Sequence, residues 1–264
     1  GYDRYIWVKN IWNNIQYLPK PFLSLFIKGI LSFSPERLDK IGSTLFTGNK
    51  KIMRFGDKAF KLANVLKANS PEEIYINLMS LWKNPSSIVI GNDEPLTVLT
   101  ELTEWPAFND FEHQMMYIDT MSYLPDDLLV KVDRAAMSVS LETRIPFLDH
   151  RVIEFAWSFP LDMKIRNGQS KWLLKQVLSK YVPKTLIDRP KMGFGVPIDS
   201  WLRGPLKEWA DTLLNETRLN QEGFFNPAPI RKKWDEHLSR KRNWHYQIWA
   251  ILMYQQWLEN EKKN

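Results

Sequence analysis

Short segments with helical spacing of apolar residues run along nearly the whole chain, and they constrain the fold most. Apolar residues recur every three or four positions, while 16 prolines and 11 glycines interrupt the pattern at short intervals. Breaks are predicted near residues 19–21, 34–35 and 48. Residues 88–90 are the one run that suggests an extended segment. The sequence therefore predicts a mainly α fold, in a single domain over residues 1–264.

Helix signals along the chain sharpen this prediction. Ser70 can cap a helix whose first turn carries Glu72 and Glu73, which suits the positive end of a helix. Residues 22–33 are the longest apolar run, but Lys28 interrupts it, so it is predicted to be a buried helix and not a membrane anchor. Residues 231–260 predict one last long core helix.

Composition excludes several kinds of site. There is no cysteine among the 264 residues, which excludes disulfides, cysteine-ligated zinc and a thiolate nucleophile in this chain. The four histidines lack the spacing of a metal site, so no metal site is predicted. The net charge of +6 suits a polyanionic partner such as a nucleotide, a membrane surface or nucleic acid, without choosing among them.

A helix predicted from about residue 126 to residue 139 has two chemically different faces. Asp127, Lys131 and Arg134 fall within about 60° of one another, and apolar residues fill the opposite face. Asp127 is placed to pair with Lys131. Two cations one turn apart can clamp phosphate oxygens, with Arg binding bidentately. The alternative is an exposed, salt-bridged face, which the spacing by itself favours.

The next segment, residues 141–149, carries charges inside an apolar run. Glu142 and Arg144 would be costly to bury without partners, so they either pair within the fold or face a site. Asp149 is predicted to cap a helix that Pro160 ends.

A second candidate site is the loop of residues 188–197. It places Lys191 near Gly193 and Gly195, which permit close backbone approach, while two prolines stiffen its ends. A stiff loop holding one lysine can set a charge against a leaving phosphate group. An ordinary basic turn is the alternative, and composition by itself favours that alternative.

Three ordered motifs carry a resemblance to a known family. They are residues 128–134 (Leu-Leu-Val-Lys-Val-Asp-Arg) with 140–150 (Ser-Leu-Glu-Thr-Arg-Ile-Pro-Phe-Leu-Asp-His), residues 171–175 (Lys-Trp-Leu-Leu-Lys), and residues 189–194 (Arg-Pro-Lys-Met-Gly-Phe) with Pro197 and 201–203. With the opening Gly-Tyr-Asp-Arg-Tyr, they resemble the glutamine-hydrolysing asparagine synthetase family from residue 1 to about residue 203, in the part that follows its nucleotide-binding motifs.

The resemblance implies a fold and an activity. The chain would be the helical C-terminal part of an α/β synthetase domain of the PP-loop class. That domain uses MgATP to convert the aspartate side chain into a β-aspartyl adenylate, which ammonia from a separate glutaminase domain then attacks. The products are asparagine, AMP and pyrophosphate. ATP and Mg²⁺ are thus the implied cofactors, and aspartate and glutamine-derived ammonia the implied substrates.

The resemblance also implies roles for individual residues. Lys191 matches the loop lysine that stabilises departing pyrophosphate, and Lys131 with Arg134 matches a cationic helix facing the phosphates. The further candidates facing substrate or phosphate are Gly193, Phe194 and Asp127. The residues implied to be structural are Glu142 and Arg144, as a buried pair, and Asp149.

The chain also departs from the family. It has no Ser-Gly-Gly-x-Asp-Ser loop, no acidic Gly-Asp-Glu motif and no glutaminase cysteine. We therefore expect a piece of a longer cytoplasmic protein that is inactive by itself and needs the N-terminal part of that protein as its partner. A homodimer is allowed, and neither membrane nor nucleic acid is expected as a partner.

Two alternatives remain open at this stage. A related adenylating amide ligase, such as a β-lactam synthetase or a peptide-cyclising relative, shares the fold and replaces the ammonia step. A basic helical module that binds nucleic acid is disfavoured, since the tryptophans fall at core-like positions and do not interleave with basic residues on an exposed face.

Overall fold

The computed structural model describes residues 2–45, 55–91, 93–188 and 195–263, and these ranges are mostly helical. In chain order the α-helices are α1 (Asp3–Ile15), α2 (Lys20–Ser32), α3 (Pro35–Leu45), α4 (Phe55–Val65), α5 (Pro71–Met79), α6 (Phe111–Met121), α7 (Val130–Met137), α8 (His150–Ser158), α9 (Leu161–Lys164), α10 (Trp172–Leu178), α11 (Lys184–Ile187), α12 (Ile198–Arg203), α13 (Lys207–Leu213), α14 (Glu216–Glu222), α15 (Pro227–Leu238) and α16 (His245–Glu261). A two-stranded antiparallel sheet pairs β1 (Ile165–Arg166) with β2 (Gln169–Ser170). The prediction of a mainly helical chain is confirmed.

Contacts divide the chain into two compact units. The first unit comprises Gly1–Tyr17 and Pro95–Gly193, and the second comprises Leu18–Glu94 and Phe194–Asn264. Each unit therefore combines an early and a late part of the sequence. The single domain expected from the sequence stays a prediction.

The second unit has a continuous apolar core around α15 and α16. Its fully buried side chains include Leu202, Leu213, Leu214, Leu219, Ile230, Trp234, Ile248 and Leu252. Trp234 also donates its indole N–H to Asp211 Oδ1 at 2.6 Å, so this buried ring has its polar atom satisfied. The predicted extended segment joins the same unit, since Val89 pairs with Phe225 in an isolated antiparallel bridge.

Helix boundaries follow the sequence signals in some places and not in others. Ser70 Oγ accepts the backbone N–H of Glu73 at 3.2 Å, which confirms the predicted cap of α5. The single long helix predicted for residues 231–260 is wrong, because α15 ends at Leu238 and α16 begins at His245. Arg240 takes a φ of 58° there, a left-handed conformation that a helix cannot continue through.

The prediction that residues 22–33 form a buried helix is half wrong. The helix α2 exists, but Ile27 is its one buried residue, while Phe22, Leu25 and Phe26 are exposed. α2 is apolar on opposite sides, and its packing against α4 covers one side of it. None of the helices in the described ranges combines the length and apolar character that crossing a bilayer requires.

In the first unit, a layer of polar contacts fastens α1 to α6. Arg4 pairs with the buried Asp119, and the Tyr5 hydroxyl donates to the same carboxylate. Lys9 forms a second ion pair with the buried Glu112. Because these acids are buried with cationic partners, removing Arg4 or Lys9 would leave a buried carboxylate without a compensating charge. This layer holds α6 in place, and α6 leads directly into the candidate site.

Candidate functional site

A cavity of about 720 Å³ lies in the first unit, between the segment entering α7 and the loop that follows α7. Its lining residues are Pro125, Leu129, Val130, Val132, Asp133, Thr143, Arg144, Ile145, Pro146, Leu148 and Asp149. The volume is that of a small-molecule site, and a few polar groups among mainly apolar walls are typical of such sites. The motif-bearing segments around residues 128–134 and 140–150 thus face one another across a space that can hold a ligand.

The first wall of the cavity is formed where an irregular helical segment leads into α7. The predicted helix is present, but its first part, Leu124–Leu129, is π-helical and precedes the regular α7. A π-helical turn contains more residues than an α-turn, so it rotates the side chains before α7 relative to those within it. Leu129 and Val132, placed on an apolar core face by the sequence, line the cavity instead.

The second wall depends on how α7 ends. Ser140 adopts a φ of 59°, its N–H donates to the Met137 carbonyl oxygen at 2.9 Å, and the Leu141 N–H donates to the Ala136 carbonyl oxygen at 3.0 Å. These two bonds form the Schellman motif that closes a helix C-terminus. The reversal directs residues 143–149 back along α7 and so forms the cavity.

The cationic face predicted on α7 lies outside the cavity lining. Lys131, Arg134 and Asp127 are all exposed, and none of the three lines the cavity. Asp127 forms no ion pair with Lys131 among the described contacts, since the π-helical turn disrupts the four-residue spacing that would align them. Lys131 and Arg134 therefore face solvent in this chain, and their roles toward phosphate stay predictions.

Arg144 and Glu142 occupy a different position from the one the resemblance implies. They pair at 2.5 Å, but 86% of the Arg144 side chain and 69% of the Glu142 side chain are exposed. The expected burial of this pair is therefore absent, because the loop carrying both residues has no regular structure and stands open to solvent. Arg144 also lines the cavity, so this pair sets a guanidinium at its edge.

Asp149 both caps a helix and faces the cavity. Its carboxylate accepts the backbone N–H of Arg151 at 2.9 Å and the Arg151 side chain at 2.8 and 3.0 Å, at the start of α8. The Arg151 side-chain hydrogen bonds, followed by the backbone bond, lower the pKa of Asp149 below its ordinary value. The cavity is thus lined by an ionised Asp149, by Asp133 and by the cation Arg144.

Three candidate residues lie outside the described residues. Lys191, Gly193 and Phe194 fall in the range 189–194, so the geometry of the predicted lysine loop is not part of the structure. Within the described ranges, no three histidine, aspartate or glutamate side chains gather into a group that could hold a metal ion.

Sequence reasoning missed two features of the first unit. The Arg4–Asp119–Tyr5 contacts join residues more than a hundred positions apart, and the available signal was a lone acid in the apolar run around Asp119. The β1–β2 hairpin turns at Asn167 and Gly168, which both have positive φ. Asn-Gly is a strong hairpin signal, so this turn was open to prediction.

Comparison with known proteins gives a consistent result. Residues 1–259 match the family model described as asparagine synthase. A Bacillus subtilis protein named asparagine synthetase [glutamine-hydrolyzing] 1 is 31% identical over 158 residues, which cover 60% of this chain and 24% of that protein. A Mycobacterium tuberculosis protein named putative asparagine synthetase [glutamine-hydrolyzing] is 35% identical over 145 residues, covering 54% of this chain and 22% of that protein.

A more distant relative aligns over more of the chain. The Homo sapiens protein named asparagine synthetase [glutamine-hydrolyzing] is 25% identical over 241 residues, covering 80% of this chain and 42% of that protein. The chain spans about a quarter of the length of the two bacterial relatives. No solved structure matches the chain at a significant level.

Proposed function

The chain belongs to the asparagine synthase family, and we propose that it forms the helical part of an ATP-dependent asparagine synthetase. In the proposed reaction an oxygen of the aspartate side-chain carboxylate attacks the α-phosphorus of ATP, and pyrophosphate leaves. Ammonia released from glutamine then attacks the acyl carbon of the adenylate, and AMP leaves as asparagine forms. The helical part would belong to a synthetase domain of the PP-loop α/β class, in a cytoplasmic protein.

The observation that carries the proposal is the charge pattern of the cavity within the family-matched region. The cavity is lined by two carboxylates, those of Asp133 and Asp149, and by the guanidinium of Arg144. A zwitterionic amino acid needs both signs, since carboxylates accept from its α-ammonium and a guanidinium binds a carboxylate bidentately. A cavity of this size with mixed charges suits aspartate better than an apolar substrate.

The charge stabilisation in this proposal comes from cations of the chain. Lys191 would stabilise pyrophosphate as it gains negative charge, and Lys131 with Arg134 would face the phosphates of ATP. Adenylation depends mainly on positioning and on stabilising the charge that develops on the leaving group. Mg²⁺ would accompany the phosphates, which supply most of its ligands in such sites.

The proposed partner is the nucleotide-binding part of the same protein. Large apolar side chains are exposed on the first unit after α7, among them Val139, Leu141, Phe147, Phe155 and Tyr181. Exposed apolar surface of this extent in one part of a chain is typical of a surface that binds another protein segment. Docking there would cover the solvent-exposed Glu142–Arg144 pair and lower the local dielectric around the cavity.

An isotope experiment tests the proposal. The protein is assayed in a form that also carries a Ser-Gly-Gly-x-Asp-Ser loop, with aspartate labelled by heavy oxygen in its side-chain carboxylate. We expect equal amounts of asparagine, AMP and pyrophosphate, with one label transferred to AMP, because the attacking oxygen leaves with the phosphorus. Formation of ADP and phosphate, or turnover of a different carboxylic acid but not of aspartate, would contradict the proposal. The 264-residue chain by itself is expected to form no asparagine.

A further inference from the structure

His113 connects an acid and an amine within the first unit. Its Nε2 lies 2.9 Å from Lys164 Nζ, and its Nδ1 lies 3.4 Å from Asp110 Oδ2. A lysine ammonium only donates hydrogen bonds, so Nε2 accepts from Lys164 and the ring proton is assigned to Nδ1, which faces the carboxylate. These contacts bring the start of α6 to the end of α9. We call Asp110, His113 and Lys164 the His113 relay.

Asp110 pairs with the histidine instead of capping the helix that follows it. It occupies the N-cap position of α6, where an aspartate normally accepts a backbone N–H of the first turn, but its side chain makes no such bond. Its carboxylate lies at the His113 ring, of which the side chain is only 13% exposed. A carboxylate that holds one imidazole nitrogen, while the other faces a nucleophile, is the arrangement that orients a catalytic histidine.

Lys164 is a half-buried amine beside aromatic rings. Its Nζ lies 4.9 Å from the centroid of the Trp157 ring, and that ring stacks on Phe108 with 5.8 Å between centroids. Burial lowers the pKa of Lys164 below its ordinary value, and none of the acids in the described part of the chain opposes this effect. A larger fraction of this amine is therefore unprotonated near neutral pH than of a lysine in solvent.

The histidine of the relay is neutral under the same conditions. Burial first, and then Lys164, lower the pKa of His113, while Asp110 and Glu112 act in the opposite direction. Glu112 is itself paired with Lys9. The Nε2 lone pair of a neutral imidazole is thus directed at the lysine nitrogen, which is the geometry that general-base catalysis requires.

We propose that Lys164 is a site of acylation, at which His113 acts as the general base and Asp110 positions the histidine. The donor is an activated acyl group, carried by a phosphate or by a thiol. The nitrogen lone pair of Lys164 attacks the acyl carbon, and the carbon–oxygen or carbon–sulfur bond breaks with its electron pair leaving on the phosphate or thiolate. His113 Nε2 accepts the proton that the nitrogen loses and releases it to solvent.

Acylation changes the chemistry of this part of the first unit. An acylated lysine is uncharged, so it loses the cation–π contact with Trp157. Lys164 ends α9, and α9 leads directly into the β1–β2 hairpin, so the modification alters how this segment contacts α6. The inference goes beyond the proposed synthetase, because it concerns a modification of the protein itself.

Acetylation of the 264-residue chain, followed at each lysine by quantitative mass spectrometry, tests the proposal. Acetyl phosphate and acetyl coenzyme A are the two donors, and the faster one identifies the source of the acyl group. Two lysines of the same molecule serve as references. Lys180 is exposed, whereas Lys233 lies 3.4 Å from the Trp244 ring centroid and has a pKa lowered by burial, but contacts no histidine among the described residues. We expect Lys164 to react at least about tenfold faster than either reference near neutral pH.

Variants of the relay separate the general base from the effect of burial. His113→Gln removes the base but keeps a side chain that can accept a hydrogen bond from Lys164, and it should slow acetylation of Lys164 about tenfold or more. Asp110→Asn should slow it less, since the amide oxygen still accepts the Nδ1 proton. The rates at Lys180 and Lys233 should stay unchanged in both variants, so these references also report on folding.

Three results would overturn the proposal. The first is a rate at Lys164 no greater than that at Lys180 with either donor. The second is a rate equal to that at Lys233, which would assign the reactivity to burial alone. The third is a fast reaction at Lys164 that His113→Gln leaves unchanged, which would exclude the histidine as the base. None of these results bears on the proposed synthetase, because acetylation is measured without its substrates.

Discussion

Arg203 and His237 are joined at two points inside the second unit. Arg203 Nε donates to the backbone carbonyl oxygen of His237 at 2.8 Å, and Arg203 Nη2 lies 3.3 Å from His237 Nδ1. The backbone N–H of Trp244 also donates to Nδ1 at 3.3 Å. Two donors at Nδ1 require that this nitrogen is unprotonated, so the buried imidazole is neutral. The contacts tie α12 to the end of α15 and to the start of α16.

This arrangement makes stability depend on pH. Burial first, and then the neighbouring Arg203 and His245, lower the pKa of His237 from 6.5 to about 4. Because the pKa of His237 is lower in the folded protein than in the unfolded chain, the unfolded chain binds a proton more readily. The free energy of unfolding therefore has its full value above pH 6.5 and decreases as the pH falls toward 4. The loss in the free energy of unfolding should reach about 3 kcal/mol. Urea unfolding at a series of pH values measures it.

The matched variants for this prediction are His237→Gln and His150→Gln. Glutamine cannot titrate, so the first variant should have a lower stability at neutral pH and a flatter dependence below it. His150 is largely exposed, so the second should follow the wild type at every pH. A His237→Gln variant that keeps the full wild-type slope would assign the pH dependence to other groups.

The second prediction concerns the core of the second unit. Trp234 is fully buried and its indole N–H is bonded to Asp211, whereas Trp257 is about half exposed. Trp234→Ala should therefore lower the free energy of unfolding by about 3–5 kcal/mol, through a cavity and a lost hydrogen bond. Trp257→Ala should lower the free energy of unfolding much less. Equal losses measured by chemical denaturation would contradict the core assignment.

The third prediction tests whether the cations of α7 contribute to turnover independently of the cavity. Lys131 is exposed, so Lys131→Ala should change the free energy of unfolding by less than about 0.5 kcal/mol. If Lys131 faces the phosphates of ATP, the same change should still lower the synthetase turnover of an active form of the protein. Turnover equal to wild type in Lys131→Ala and Arg134→Ala, together with a loss in Arg144→Ala, would place the site at the cavity alone.

The fourth prediction concerns the lysine loop. In an active form of the protein, Lys191→Ala should lower synthetase turnover by about 10²–10³, because one donor to the departing pyrophosphate is lost. Glutamine hydrolysis should continue. Lys191→Arg should recover part of the rate, since the guanidinium is broader than an ammonium.

Steady-state assays of glutamine hydrolysis and of asparagine synthesis, with pyrophosphate release followed directly, show whether the Lys191 variants lose synthetase turnover alone. An equal loss in both half-reactions would indicate misfolding. A synthetase rate within about threefold of wild type would remove Lys191 from the catalytic residues, since one well-placed donor normally contributes more than this.

Local signals predicted the features that depend on neighbouring residues. Ser70 caps α5 because its hydroxyl reaches an amide three positions ahead, and Asp149 caps α8 through an amide two positions ahead. The helical spacing of apolar residues likewise predicted that the chain is mainly helical. The Asn167-Gly168 turn belongs to the same class of short-range signals, and it was overlooked although the sequence contained it.

The candidate site was predicted in part. The motifs around residues 128–134 and 140–150 do surround one cavity, but the sequence assigned the apolar face of that helix to the core and the cations to the site. The π-helical turn Leu124–Leu129 changes which side chains face inward. A periodicity of 3.6 residues presumes a regular helix, so it cannot reveal an irregular turn.

The sequence by itself therefore determined the helical class, the family and the positions of the caps, because each rests on residues close together in the chain. The tertiary structure decided that Asp119 receives Arg4 and Tyr5, that Arg203 meets His237, and that the outer face of α2 is left uncovered. These outcomes depend on which distant segments pack together. An apolar pattern gives the side chains that can be buried, whereas burial also requires a neighbouring surface, and that surface is set by the fold.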